Sequence, residues 1–488
     1  MADNNDNSSN NSNNPTLEFQ TFHNVINGAI ADTPGRYRRT VNPSTEKDNH
    51  DVPFSGPEDV DRAVEAAKKA AGTWSAVSWN ERADRLQKFA DAIEGIAGEL
   101  AKLLTMELGK PPMWAGYEIA TGIQWIRDFS QMSHPGEDIQ DTQERKVTTR
   151  YLPLGVVVGI VPWNYPIQLA CMKIAPALLT GNCFIWKPSP GSPYTSLKVA
   201  ELAQRFFPAG VLQALSGDDD LGRWLTGHPG VDMVSFTGST AVGKLVSQTC
   251  SKTLKRCTLE LGGNDAAIIC ADVDPVAVGS KIGLFAFCNS GQICIAMKRV
   301  YVHESVYEAV LATVVGFVQS LKLGIEEDAF MGPVANEAQY NRIRALLTDI
   351  KTSGLTVAAG STEPLSDRKG FFLVPTVIDN PPDDSRVVTE EQFGPVIPLL
   401  KWSDEQDVIR RANDTDAGLG ASVWTRDMVQ ADRMARQLQA GNVWVNCHAE
   451  MQPSTPFSGH KQSGMGVEMG VDGLKSYCNV QSVYVKEA

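Results

Sequence analysis

Cys294, in the run Phe287-Cys288-Asn289-Ser290-Gly291-Gln292-Ile293-Cys294, and Glu260, in Leu259-Glu260-Leu261-Gly262-Gly263-Asn264, are a thiol and a carboxylate of the kinds that covalent chemistry on a carbonyl requires. A thiolate adds to a carbonyl carbon, and a carboxylate can activate the water that later releases the acyl group. Neither residue type is diagnostic alone. A cysteine is more often a small buried hydrophobe than a nucleophile, and a Glu flanked by Leu can simply close a strand. Asn164, in the turn Pro162-Trp163-Asn164, could donate its amide to a developing oxyanion, but Asn before an aromatic residue and a proline is also ordinary turn chemistry.

Such residues need rigid elements behind them. The apolar, β-branched run Gly155 to Val161 reads as a buried parallel strand ending at that turn, and further strands are expected at Cys183 to Trp186, Val211 to Leu215 and Met233 to Phe236, with helical stretches between. This alternation implies a doubly wound α/β sheet, whose ligands sit at the carboxyl ends of the strands, where Asn164, Lys187 and Thr237 stand. Ala266 to Ile269, Arg299 to Val302 and Val443 to Val445 suggest a second α/β half. Upstream, Val60, Ala63, Val64 and Ala67 recur at helical spacing, and a stripe from Glu81 to Leu104 passes Leu86, Phe89, Ile93 and Ile96. Met113 to Met132 is also helical; its face of Ile119, Ile123, Ile126 and Phe129 is either core or the wall of a substrate tunnel.

The chain has 488 residues, 42% hydrophobic and 21% charged, which is enough for two or three domains with large cores. A net charge of -13 argues against nonspecific binding to nucleic acid or anionic membrane. No stretch reaches the roughly 18 uninterrupted apolar residues of a membrane span. Nine cysteines, with no CxxC pair, suggest neither a zinc site nor a disulfide framework and fit a reducing, cytoplasmic setting. His448 and His460 read as loop residues without metal partners at ligand spacing, so no metal is expected. Cys288 could form a regulatory disulfide with Cys294, although a core thiol is the plainer reading.

Eight motifs together turn these fragments into a resemblance. With the Cys294 and Glu260 segments, Pro153 to Pro166, Phe184 to Ser189, Phe236 to Gly243, Met331 to Asn336, Glu390 to Pro395 and Pro456 to Gly464 occur in the order found in the NAD(P)-dependent aldehyde dehydrogenase superfamily, which the chain resembles from about Thr21 onward. The resemblance implies a Rossmann-type cofactor domain (18–135 and 153–262), an α/β catalytic domain (263–463) and a small β oligomerisation arm (136–152 and 464–488), while the Asn- and Ser-rich start is expected to be a disordered tail (1–17). It implies that Cys294 forms a thiohemiacetal and then a thioester, that Glu260 is the general base for hydrolysis, and that Asn164 and the Cys294 N–H stabilise the oxyanion. A carboxylate at Glu260 favours hydrolysis over transfer to coenzyme A.

For NAD or NADP the resemblance points to Ile160, Pro162, Trp163, Lys187, Ser189, Pro190, Gly217 and Leu261, with Gly238, Ser239 and Gly243 at the helix start that would face the pyrophosphate and Glu391 and Phe393 toward the nicotinamide. Pro190 stands where NAD-preferring members often carry a Glu that repels a 2′-phosphate, so NADP should be tolerated. Around the aldehyde it places Tyr165, Met172, Ile293, Ile295 and Met451, an apolar lining suited to aliphatic, terpenoid or aromatic aldehydes. The expected assembly is a homodimer or homotetramer. Two other readings stay open: a semialdehyde dehydrogenase for an amino- or carboxylate-bearing aldehyde, and a catalytically idle protein on the same fold.

Overall fold

The computed structural model describes residues 17–31 and 35–486; the expected tail lies almost wholly outside them. Five parallel strands form the heart of the first sheet, in the spatial order Leu212–Ala214, Cys183–Lys187, Val156–Ile160, Met233–Thr237, Arg256–Glu260. Numbered along the chain, that order is 3-2-1-4-5, the doubly wound arrangement in which the connections reverse direction between the first and fourth strands. Ile160 and Thr237 end those two strands, so a crevice opens between them. Val156–Ile160 is buried throughout, as a β-branched strand covered on both faces by helices must be.

The second sheet runs Val357–Ala359, Thr376–Asp379, Val396–Trp402, Arg299–His303, Ala266–Ile269, Gly420–Trp424, Asn442–Val445, parallel except for its first pair. Its Ala266–Ile269 strand follows the Glu260 strand after a short loop, which brings the two sheets together around Leu261 to Asp265. A third, antiparallel sheet joins Cys478–Val485, Lys146–Pro153 and Glu137–Asp141.

Helix Pro57–Ser75 buries Val60, Ala63, Val64 and Ala67, the face its spacing predicts. The stripe from Glu81 to Leu104 is not one helix but two, Trp79–Glu94 and Ala97–Leu108, broken at Gly95 and Ile96. Glycine lowers helix propensity there, and both halves bury their apolar side against the same core, so the periodicity hides the break. In helix Pro112–Ser130 the side chains of Ile119, Ile123, Ile126 and Phe129 are packed in that core. Among the described residues no helix is long and apolar enough to cross a membrane.

Residues 464–477, grouped with the arm in the sequence, lie against the first sheet. Gly464–Met465 pairs antiparallel with Leu259 and Glu260. Glu468, fully buried, accepts from Lys173 Nζ at 2.7 Å and from Ser235 Oγ at 2.7 Å. A buried charge with this many partners cannot be drawn away from them cheaply. Lys173→Met, which leaves Glu468 without its counter-charge, should therefore destabilise the fold by about 3–5 kcal/mol in chemical denaturation.

Candidate functional site

Cys294 follows a turn that right-handed backbone does not make. Cys288–Gly291 closes a short 3-10 turn in which Asn289, Ser290 and Gly291 have φ of 49°, 57° and 69°. Ser290 Oγ donates to Gly332 O (2.9 Å), Lys298 Nζ to Gly291 O (2.5 Å) and Asn289 Nδ2 to Asn164 O (3.2 Å). Gln292, just before the thiol, receives Ala335 N–H on its side-chain oxygen at 2.9 Å. A Cβ on Gly291 would fall 2.2 Å from Gly394 O, and one on Gly263 would fall 2.3 Å from Cys294 O, so these two glycines permit the close backbone approach.

Asn164 faces the same loop. It is buried, and its Nδ2 donates to Gln292 O at 3.0 Å, leaving a second amide hydrogen free to serve another acceptor. The following helix, Pro166–Leu179, is pinned at its start by buried Glu118, which accepts from Ile167 N at 2.9 Å and pairs with Lys110. Lys110 Nζ lies 3.9 Å from the centre of the Tyr165 ring.

Cys294 and Asn164 line one cavity of about 170 Å³, with Pro162, Trp163, Thr237, Gly238, Ser239, Leu261, Glu391 and Phe393. Pro162, Trp163, Thr237, Gly238 and Ser239 also line a second cavity of about 390 Å³, which continues past Ile160, Lys187, Ser189 and Pro190. The two form one cleft across the crevice between the Ile160 and Thr237 strand ends. Ser239 caps helix Thr240–Ser251, whose N-terminal N–H groups favour an anionic group. The Thr237 hydroxyl is buried without a partner on the wall shared by both cavities, an orphaned group that a ligand in the cleft would satisfy. A long, two-chambered cleft with an anion-favouring helix start and a buried ammonium fits a dinucleotide.

The other expected residues are placed differently. Gly243 lies behind the wall, where a Cβ would meet the Leu261 side chain at 2.4 Å; Gly217 lies against Leu221. None of the five residues expected around the aldehyde is on the wall of the Cys294 cavity. Ile293 and Ile295 flank Cys294 in the chain, while Met172 is fully buried in the core because helix Pro166–Leu179 is enclosed on nearly every side. Met451 lines a separate cavity of about 440 Å³ with Trp444, Glu450, Phe457 and Met469.

Sequence reasoning missed Gln339 and Arg342, which also line the Cys294 cavity. Three residues apart on helix Glu337–Thr352, they share a face and donate to Phe393 O (2.9 Å) and Glu391 O (2.6 Å). They hold the turn that carries Phe393 at φ 47°, with its ring edge-on to Trp163 at 5.4 Å. Asp219 was also missed; it lies on the wall with Lys187 and is the negative charge that most favours the Lys187 ammonium. Its only sequence signal was the Asp218 to Asp220 run.

The electrostatics are acidic. Burial, followed by the carboxylates of Glu260, Glu391 and Asp265, pushes the Cys294 thiol well up, and the Ile295 N–H opposes them. Burial and then Glu468 raise Glu260, while the Lys173 ammonium lowers it. Burial raises Glu391, against the 3.0 Å hydrogen bond from Gly263 N. Burial depresses Lys187 to about 8.

With this geometry established, comparison with known proteins is direct. The sequence model of the Aldehyde dehydrogenase family matches residues 30–483. Aldehyde dehydrogenase LUC3 from Fusarium sp is 42% identical over 471 residues, covering 96% of this chain and 100% of that protein. Phenylacetaldehyde dehydrogenase from Pseudomonas fluorescens is 36% identical, covering 91% of each. The NAD+ complex of aldehyde dehydrogenase from Bacillus cereus superposes with a TM-score of 0.91 at 35% identity, covering 96% of this chain and 97% of that one.

Because the thiol and its neighbouring carboxyl groups are all raised, alkylation of Cys294 by iodoacetamide should be slow at pH 7 and accelerate steadily as pH rises. Glu260→Gln removes one of the repelling charges and should shift that rise to lower pH. A rate independent of pH between 6 and 9 would contradict the acidic environment.

Proposed function

The chain belongs to the aldehyde dehydrogenase family, which oxidises aldehydes to carboxylic acids with NAD(P) as hydride acceptor, and from that premise we propose that Cys294 is the nucleophile, Glu260 the general base and Asn164 an oxyanion donor. The observation that carries this reading is the shared cavity of Cys294 and Asn164, continuous with the cleft at the strand-order reversal, with Glu260 acting on the thiol from the neighbouring strand end.

The Cys294 thiolate adds to the aldehyde carbon, and the oxygen that gains charge is met by the free amide hydrogen of Asn164 and the Cys294 N–H. Pro162, Trp163, Lys187, Glu391 and Phe393 would hold NAD(P), which would supply an acceptor for the hydride lost from the adduct carbon, leaving the acyl group on the Cys294 sulfur. Glu260, once ionised, takes a proton from water; the hydroxide attacks the acyl carbon, the C–S bond breaks, and the carboxylic acid leaves. Lys173 favours the ionised form of Glu260 and Glu468 opposes it, so the pair tunes the base. Hydrolysis, not transfer to coenzyme A, completes the cycle, which makes this an NAD(P)-dependent, non-acylating aldehyde dehydrogenase.

The substrate is an aliphatic, terpenoid or aromatic aldehyde; the Trp444, Met451 and Phe457 cavity and the phenylacetaldehyde-oxidising relative support an apolar one. NADP is accepted beside NAD, since Pro190 offers no carboxylate and the Arg38 guanidinium donates to its carbonyl. The arm strand Cys478–Val485 exposes Val480, Tyr484 and Val485, which supports a homodimer or homotetramer built on that edge. The free thiols suit the cytoplasm.

Cys294→Ala should lower NAD(P)H production by at least about a thousandfold. Glu260→Gln should keep a first-turnover burst and lose the steady state, and coenzyme A should not restore it. Values of kcat/KM for NAD and NADP should agree within about tenfold; a preference for NAD above about a thousandfold would contradict the role given to Pro190.

A further inference from the structure

His448 lies three residues beyond strand Asn442–Val445, fully buried, on a segment to which its sequence assigned no chemistry. Its Nε2 is 2.8 Å from Ile295 O. A carbonyl oxygen only accepts, so this nitrogen carries the proton. Nδ1, 3.0 Å from Ser422 Oγ, is then the acceptor of the serine hydroxyl, and Trp424 Nε1 donates to the same serine oxygen at 3.0 Å. Donation therefore runs one way, from Trp424 through Ser422 and His448 to Ile295. Burial depresses the imidazole to about 4, which keeps the ring neutral and the tautomer fixed. Trp444 and Phe285 wall it in, with ring centres at 5.0 and 5.9 Å. Asp265 Oδ2, 3.9 Å from Nε2, stands beyond hydrogen-bond reach.

Ile295 is the residue after the thiol, and its own N–H favours the Cys294 thiolate against Glu260, Glu391 and Asp265. The carbonyl of the residue next to the thiol is thus held by the imidazole. We propose that His448 is a positioning residue: its Nε2–H fixes the Ile295 carbonyl and thereby holds the backbone that carries the Cys294 thiol. The proposal rests on Cys294 being the nucleophile. A histidine that merely filled the core would leave the reactivity of the thiol unchanged when replaced by a group of similar volume.

Iodoacetamide alkylation of Cys294 in the full-length chain, followed across pH by peptide mass spectrometry, tests this. His448→Phe fills the space without a donor and should slow alkylation at pH 8 about tenfold, moving the titration up by about one pH unit. His448→Gln, whose amide N–H can serve the same carbonyl, should stay within about twofold of the natural protein. Ser422→Ala keeps the ring but removes the hydroxyl that fixes its tautomer, and should slow alkylation about threefold. It remains informative if His448→Phe does not fold, which the melting temperature of each variant reports. A folded His448→Phe that alkylates like the natural protein, a His448→Gln as slow as His448→Phe, or an unaffected Ser422→Ala would each overturn the proposal. Turnover of Cys294→Ala separates the two readings: if it persists, the nucleophile assignment fails, whereas its loss together with unchanged alkylation in the His448 and Ser422 variants overturns only the role of His448.

Discussion

The site depends on a backbone conformation that L-residues avoid. Three successive left-handed residues, Asn289 to Gly291, turn the chain so that Cys294 reaches the cleft. Each non-glycine residue held there costs about 1–3 kcal/mol, so the turn persists only because its surroundings over-determine it. Asn164, Lys298, Gly332 and Gly394 come from four separate segments and meet at this turn through hydrogen bonds or backbone contact. Lys298, whose ammonium burial depresses to about 8, spends its charge on carbonyls in the interior. The turn can therefore form only once both sheets have come together, and the nucleophile is placed by the tertiary structure rather than by its own segment.

That dependence explains the architecture around it. The first sheet opens its crevice at the strand-order reversal, and the second supplies the loop that carries the thiol. Gly262 and Gly263 lie at the junction because side chains there would collide with Glu391 and with the Cys294 carbonyl. The same crowding gathers Glu260, Glu391 and Asp265 around the sulfur, so the resting thiol keeps its proton. Reactivity must then come from a few local groups: the Ile295 N–H, which favours the thiolate, and the Lys173 ammonium acting on Glu260.

Much of this was legible in the sequence. Fully buried parallel strands announce themselves as short β-branched runs, so Val156–Ile160, Cys183–Lys187, Met233–Thr237 and Ala266–Ile269 fall where the pattern predicts. Cys294, Asn164 and the cleft residues were legible as motifs. Less legible was anything decided by contacts between distant segments. The break at Gly95 is masked because apolar periodicity runs through it. Glu468 stands in the segment grouped with the arm, and its partners Lys173 and Ser235 are brought to it from more than 200 residues away along the chain. His448 looks like a loop histidine because its partners, Ile295 and Ser422, are more than twenty residues away. Met172 was expected on a wall by resemblance alone, which says nothing of the packing that encloses helix Pro166–Leu179 on nearly every side and leaves this side chain in the core.

The central claim, that an acyl group passes through the Cys294 sulfur, is tested most directly by mass spectrometry of the Glu260→Gln protein quenched in acid after mixing with aldehyde and NAD(P). The account predicts that the Cys294 peptide gains the mass of the acyl group from the aldehyde supplied, and that hydroxylamine removes it. An unmodified Cys294 peptide after a measured burst of NAD(P)H, or the same added mass on another cysteine, would contradict it.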